Sequence, residues 1–247
     1  MNRFAEFGDD FYVTMNLSTH LELPRNRETL LHYFERVRRR YPQLQHFYGR
    51  DKDEWVLEED KDGDGYRWVS IENQRVNSGA VNPATIEEAF EQHRHVLEQA
   101  PFDLSVTPLD CETLSIVFGF DFSCRGNHNE MLAKAIGLPT GLEAFGAMPY
   151  GKILSNEPAL QFSLDEECRT QCRIAFENRT NAYQVRTGEF GEDVMSVYLT
   201  VRRYDSLDTD GDYVAEFDRL SSLCVDIADE YLIPGVLRPL QEAIAID

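Results

Sequence analysis

Asp60-Lys61-Asp62-Gly63-Asp64-Gly65 is the stretch whose spacing comes nearest to a metal loop. Alternating carboxylates followed by glycine let a tight loop wrap a hard cation such as calcium. The pattern breaks at its twelfth position, where Ile71 stands in place of a bidentate glutamate and Glu72 follows one residue too late. An Asp- and Gly-rich turn between two strands accounts for the same run without metal. Asp208-Thr209-Asp210-Gly211-Asp212 is a weaker second instance, placed just before a helix where aspartate caps. Cys124 and His128 offer a thiol near a helix start with an imidazole beside it, the ingredients of an activated nucleophile. Cys124 nevertheless falls on the apolar side of its strand, the place of a core thiol. His93 and His95 face different ways on a helix and cannot chelate one ion; His93 lies on the buried stripe and reads as a satisfied core histidine. Cys168 and Cys172 lack the second Cys/His pair that a zinc site needs. No Ser-His-Asp spacing, phosphate-binding glycine loop or His-Glu-x-x-His motif occurs. The motifs therefore name no catalytic residue, no resident metal and no cofactor.

The elements that would position any site repeat along the chain. Phe11, Val13, Met15, Leu17, Leu21 and Leu23 alternate with mostly polar neighbours, the period of a half-buried strand. A shift of 101 residues restates the pattern, from Val13 onto Leu114 and from Leu23 onto Cys124. The same shift carries Asn26, a predicted helix N-cap, onto Asn127 at the start of the matching helix. Leu30, Phe34, Val37 and Tyr41 mark the buried stripe of the first helix, and Arg36-Val37-Arg38-Arg39-Arg40 suits its C-terminal dipole or, alternatively, an acidic docking partner. Pro42-Gln43-Leu44-Gln45 is echoed by Pro158-Ala159-Leu160-Gln161, so the second copy carries an extra Gly- and Pro-rich insertion at 137–151. Each copy continues as a hairpin, Leu44–Glu59 into Tyr66–Gln74 and Leu160–Asn178 into Val194–Tyr204. Trp68-Val69-Ser70-Ile71 matches Tyr198-Leu199-Thr200-Val201. Each then closes with a long helix, the first predicted to start at Asn82-Pro83.

The expected fold is α+β: tandem βαββα repeats, 11–104 and 111–247, forming antiparallel sheet with helices on one face about a pseudo-twofold axis, within one unit spanning 1–247. In outline this resembles pseudo-dimeric ferredoxin-like proteins and saddle-shaped sheets, although a ferredoxin-like unit needs a fourth strand per copy. A hydrophobic fraction of 42 % is ample for a core, so order is expected except in the first ten residues and the tail. No apolar run reaches membrane-spanning length and no signal-peptide core opens the chain, so a soluble cytoplasmic protein with reduced cysteines is expected. A net charge of −20 argues against nucleic-acid and membrane partners, which need positive potential.

What remains is the sheet's second face. Tyr12, Thr14, Asn16, Ser18 and His20 project to it, joined by Asp121, Trp68, Tyr198 and Arg202. A solvated face would carry more Lys and Glu; this one is aromatic and small-polar, suited to contact with a ligand or another subunit. The leading expectation is a non-catalytic binding or interaction protein, homodimeric, using His20, Trp68, Asp121, Tyr198 and Arg202 on that face. The competing expectation is a small-molecule enzyme with a pocket between the repeats, roofed by 137–151 and built on His20, Asp121 and Arg202.

Overall fold

The apolar alternation of Asp10–Thr19 (β1) places Phe11, Val13, Met15 and Leu17 on one face, all fully buried. In the computed structural model, which describes residues 2–51 and 53–246, β1 lies at the middle of one antiparallel sheet. Met1, Lys52 and Asp247 belong to the expected 1–247 unit but lie outside the described residues. The remaining strands are His46–Asp51 (β2), Glu54–Glu58 (β3), Tyr66–Ile71 (β4), Arg75–Val81 (β5), Cys111–Arg125 (β6), Ala159–Ser163 (β7), Thr170–Glu177 (β8) and Glu192–Tyr204 (β9). Their order is β2-β3-β4-β5-β1-β6-β9-β8-β7, nine strands in a single sheet among the described residues. β1 and β6 pair antiparallel at its centre, with Met15 opposite Ile116.

The helices are Arg27–Arg40 (α1), Ile86–Asp103 (α2), His128–Ile136 (α3), Glu143–Gly146 (α4), Ala182–Thr187 (α5), Tyr213–Ile227 (α6) and Arg238–Ile246 (α7). Asn26 caps α1 by accepting from the Thr29 amide, and Asn127 caps α3 by accepting from the Asn129 amide, as their sequence context requires. α2 and α6 pack over the strands at the sheet centre and touch each other through Arg94 and Asp218, 2.6 Å apart. Beneath them, Phe90 and Phe217 meet edge to face at 5.8 Å, and Phe118 packs against Phe4, Phe11 and Phe90. The chain is thus an α+β protein whose helices pack on one face of an open antiparallel sheet.

Several expectations change here. The segment 44–59, read as one strand, folds back on itself as β2 and β3, with a register shift at Gly49/Asp51. Arg75–Val81 is a strand that pairs with both β4 and β1. Asn77, Ser78 and Gly79 hide it from apolar periodicity, because small polar residues fill its buried positions. Among the described residues the first half therefore holds five strands and the second four, rather than three each. Trp68–Ile71 lies one strand removed from β1, whereas Tyr198–Val201 lies directly beside β6, so the two matched tetrapeptides take different places in the sheet.

α2 begins at Ile86 with Thr85 as its cap, not at Asn82-Pro83. Asn82 is engaged elsewhere: at φ 45 its side chain accepts from the Phe11 amide and donates to Asp10 Oδ1 and the Asp64 carbonyl, tying three strand ends together. Residues 2–10, expected to be disordered, pack against the core, with Phe4 at 0 % exposure among the core rings. Pro234 neither ends nor breaks the last helical stretch. A π-helix over Ala228–Leu237 absorbs the missing amide and runs on into α7, where Leu240 is buried. Among the described residues no helix is long and apolar enough to cross a membrane.

Candidate functional site

Strand parity sends even-numbered residues of β1 away from the helices, and the register carries that face across the sheet. Trp68, Gly79, Thr14, Val117, Thr200, Arg173 and Gln161 form one row from β4 to β7. Tyr66, Val81, Tyr12, Gly119, Tyr198 and Ala175 form another. Two glycines in these rows seat aromatic rings. A Cβ on Gly79 would lie 2.4 Å from the Trp68 indole, and one on Gly119 would lie 2.1 Å from the Tyr12 ring. Each ring lies across a neighbouring strand at the one residue that leaves room for it. Gly79→Ala is expected to lift Trp68 off the sheet at a cost of about 1 kcal/mol. Trp55→Phe makes Trp68 the sole tryptophan, so the lifted ring shows as red-shifted emission; an unmoved maximum would contradict the seating.

Tyr12 links two of the residues singled out from sequence. Its hydroxyl lies 3.3 Å from Asp121 Oδ1, and its ring meets Tyr198 at 6.3 Å between centroids. Tyr198 donates in turn to Glu177 Oε2 at 3.0 Å. Burial raises the Asp121 carboxyl above its ordinary value, opposed by hydrogen bonds from Ser196 and Tyr12. Burial likewise raises the Tyr12 phenol, helped by Tyr198 and the Asp121 charge, so Tyr12 stays a neutral donor. The cluster can present hydroxyls and ring faces to a ligand.

The other three sequence-selected residues stand apart. Trp68 on β4 is four strand steps from Tyr198 on β9, about 19 Å at sheet spacing. Arg202 lies opposite Ser115, while Asp121 lies opposite Ser196, six residues along β9 or about 20 Å. His20 is exposed beyond the end of β1, where its backbone binds Asp110 and Gln74. His20, Asp121 and Arg202 therefore do not converge on one cavity, as the pocket expected between the repeats requires. Nor does the 137–151 insertion roof this face. It leaves α3, which packs on α7 in the helix layer, and Lys152 just beyond it donates to the Val185 carbonyl of α5.

The remaining sequence motifs are structural in their contacts. Asp60 faces His46 at 2.9 Å, and Lys61 faces Glu58 at 3.0 Å; no group of three or more His, Cys, Asp or Glu side chains suited to a metal occurs among the described residues. Burial pushes the Cys124 thiol up to about 11, and the His128 ring lies against the Cys124 carbonyl rather than the thiol. Cys168 is exposed while Cys172 is buried, so the pair does not share a site. In the last turns of α1, Arg36 pairs with Asp103 at 3.0 Å, while Arg38, Arg39 and Arg40 are exposed at the negative end of the helix dipole.

Sequence reasoning missed the seats at Gly79 and Gly119 and the polar cleft at the β7–β8–β9 corner, lined by Gln161, Gln171, Arg173, Thr200, Arg202 and Tyr204. The period of two in Thr170–Glu177 was the available signal for Gln171 and Arg173. Comparison with protein-family models, with curated proteins and with solved structures yields no match.

Proposed function

We propose that this protein is a non-catalytic binding protein that works through the open face of its sheet. The seating of Trp68 on Gly79 and of Tyr12 on Gly119 carries this reading. Rings already held in place lose little conformational freedom on binding, and their faces with the Thr, Ser and Asn groups between them suit an amphipathic ligand. The test is native mass spectrometry on protein purified gently from its own host, wild type beside Trp68→Ala/Tyr198→Ala. The wild type is expected to carry a ligand or partner that the folded double variant lacks. A bare wild type, or a variant that keeps the same mass, overturns the reading.

Self-association is a second reading, favoured by the strand at the β7 edge. Pro158-Ala159-Leu160-Gln161-Phe162-Ser163-Leu164 carries no charge, all five β7 residues are exposed, and Leu160 and Phe162 lie bare on the helix side. The opposite edge, β2, is guarded by a register shift, by the Arg50–Glu54 ion pair and by the contact of His46 with Asp60. On a chain of net charge −20, a neutral edge is where a second acidic copy approaches at least cost. Antiparallel β7–β7 pairing would align its apolar stripe with itself. Phe162→Lys is expected to turn a dimer into a monomer in sedimentation; a monomeric wild type at micromolar concentration counts against it.

We also read the two halves as a duplication about a pseudo-twofold axis. The support is that Met15 and Ile116, equated by the 101-residue shift, face each other at the sheet centre. The unequal strand numbers of the halves would then be later additions.

A further inference from the structure

We infer that the cleft at the β7–β8–β9 corner of the open face is an oxyanion site, built for a phosphate or a small phosphomonoester. The inference rests on the reading of the open face as the binding surface. The cleft holds about 240 Å³ and is lined by Gln161, Gln171, Arg173, Thr200, Arg202 and Tyr204. Every lining side chain can donate a hydrogen bond and none is a carboxylate. In a chain with 44 acidic and 24 basic residues, that composition runs against the general surface.

The two guanidiniums are the decisive feature. Arginines near this corner are neutralised: Arg169 lies 2.9 Å from Glu167, and Arg219 lies 2.7 Å from Glu216. Arg173 and Arg202 have no carboxylate within ion-pair distance among the described residues. Arg202 is braced by the Tyr204 hydroxyl at 3.2 Å and by the Tyr204 ring, while its buried Nε has no hydrogen-bond partner among the described residues. A guanidinium with no carboxylate beside it keeps its terminal N–H groups available, and an oxyanion is the acceptor that suits their fork. Thr200 and Arg173 sit directly opposite each other on β9 and β8, and Arg202 and Gln171 do the same one row along. Thr200, Arg173 and Arg202 thus bring three donors to a space smaller than a drug-sized pocket but adequate for one tetrahedral anion, while the Gln171 amide is held by Gln161 and the Cys168 carbonyl. Tyr198 lies two residues from Thr200 along the same strand face, so the organic part of an ester would run toward the Tyr12–Tyr198 pair.

The test uses the full chain, with inorganic phosphate and phenyl phosphate as probes and chloride at matched ionic strength as reference. Binding is followed by titration calorimetry and by Tm. Phosphate is expected to raise Tm by a few degrees where chloride does not. Arg202→Gln and Arg173→Gln are each expected to weaken binding at least tenfold. Arg38→Gln, an exposed arginine on α1 far from the cleft, is expected to leave it unchanged. Tighter binding of phenyl phosphate points to an organic ester, and tighter binding of the free ion to phosphate itself. Absence of binding by both probes overturns the site, as does equal weakening by Arg38→Gln, which would mark a diffuse charge effect. If the probes fail while Trp68→Ala/Tyr198→Ala still strips a native ligand, the site falls and the open-face reading stands. If the probes bind while the native protein is bare, the opposite holds.

Discussion

Lowering the pH from 7 to 4 is expected to cost the folded protein about 3 kcal/mol through His93 alone. His93 sits on α2 at 0 % exposure, with Ser78 Oγ 2.9 Å from Nδ1 and the Phe217 ring at 5.7 Å. Burial holds its imidazole down to about 3, against 6.5 in an unfolded chain; the Val13 carbonyl works the other way, and Arg94 adds to the depression. The unfolded chain therefore takes up a proton near 6.5 that the folded chain refuses until about 3. Stability from this group is complete above pH 6.5 and is lost progressively as pH falls toward 3. Asp121 acts with the opposite sign, since its raised carboxyl favours the fold below its ordinary value and loses that contribution as pH rises through the folded one. Its position on the open face, half in solvent, makes it the weaker partner. Urea unfolding at pH 7 and pH 4 of the wild type and His93→Gln separates them. The variant is expected to be less stable at pH 7 but to lose about 3 kcal/mol less on acidification. Equal losses in both proteins would show that the folded state accepts the proton.

Phe118→Ala is expected to cost about 4 kcal/mol, among the largest effects of any single truncation in this chain. Phe118 is fully buried on β6, with ring centroids 5.3 Å from Phe4, 5.6 Å from Phe11 and 6.4 Å from Phe90. It therefore joins the N-terminal segment, the central strand pair and α2 at one point. Removing the ring opens a cavity that a β-strand beneath two helices cannot collapse to fill. Phe118→Leu keeps most of the volume and is expected to cost about 1.5 kcal/mol. Denaturant midpoints with unchanged m-values check both; a loss below about 1 kcal/mol for the alanine variant would show that the ring cluster is not a structural centre.

Those two residues show where sequence reading reaches. Both are legible in the sequence: Phe118 is the counterpart of Leu17 in the alternation that the 101-residue shift carries onto Leu114–Cys124, and His93 lies on an apolar helical stripe. The cap Asn26 was equally legible, because an N-cap is a local hydrogen bond between residues two or three apart, and its counterpart Asn127 caps α3 in the same way. β5 was not. Its buried residues Asn77 and Ser78 bond to other elements: the Asn77 amide nitrogen donates to Ser70 and Glu72, and the Ser78 hydroxyl meets Gln92 and His93. No local pattern announces a bond to a helix fourteen residues away. Asn82 misled for the same reason, since its amide serves Phe11, Asp10 and Asp64 instead of starting α2.

The open face divides along the same line. Alternation in β1, β4, β6 and β9 determined which side chains share that face, because strand parity is a property of the backbone alone. Their distances are a property of strand order and register, which depend on pairings between segments as far apart as β1 and β6. Hence Tyr12, Asp121 and Tyr198 gather while Trp68, His20 and Arg202 lie apart. Arg202 acquires Arg173 as a neighbour only because β8 pairs with β9. The sequence by itself determined the α+β class, the apolar face and its helices, and the absence of any self-evident catalytic motif. Only the tertiary structure decided that two glycines seat two rings and that two arginines without carboxylates share a cleft. Long-range pairing carries no signature in local composition.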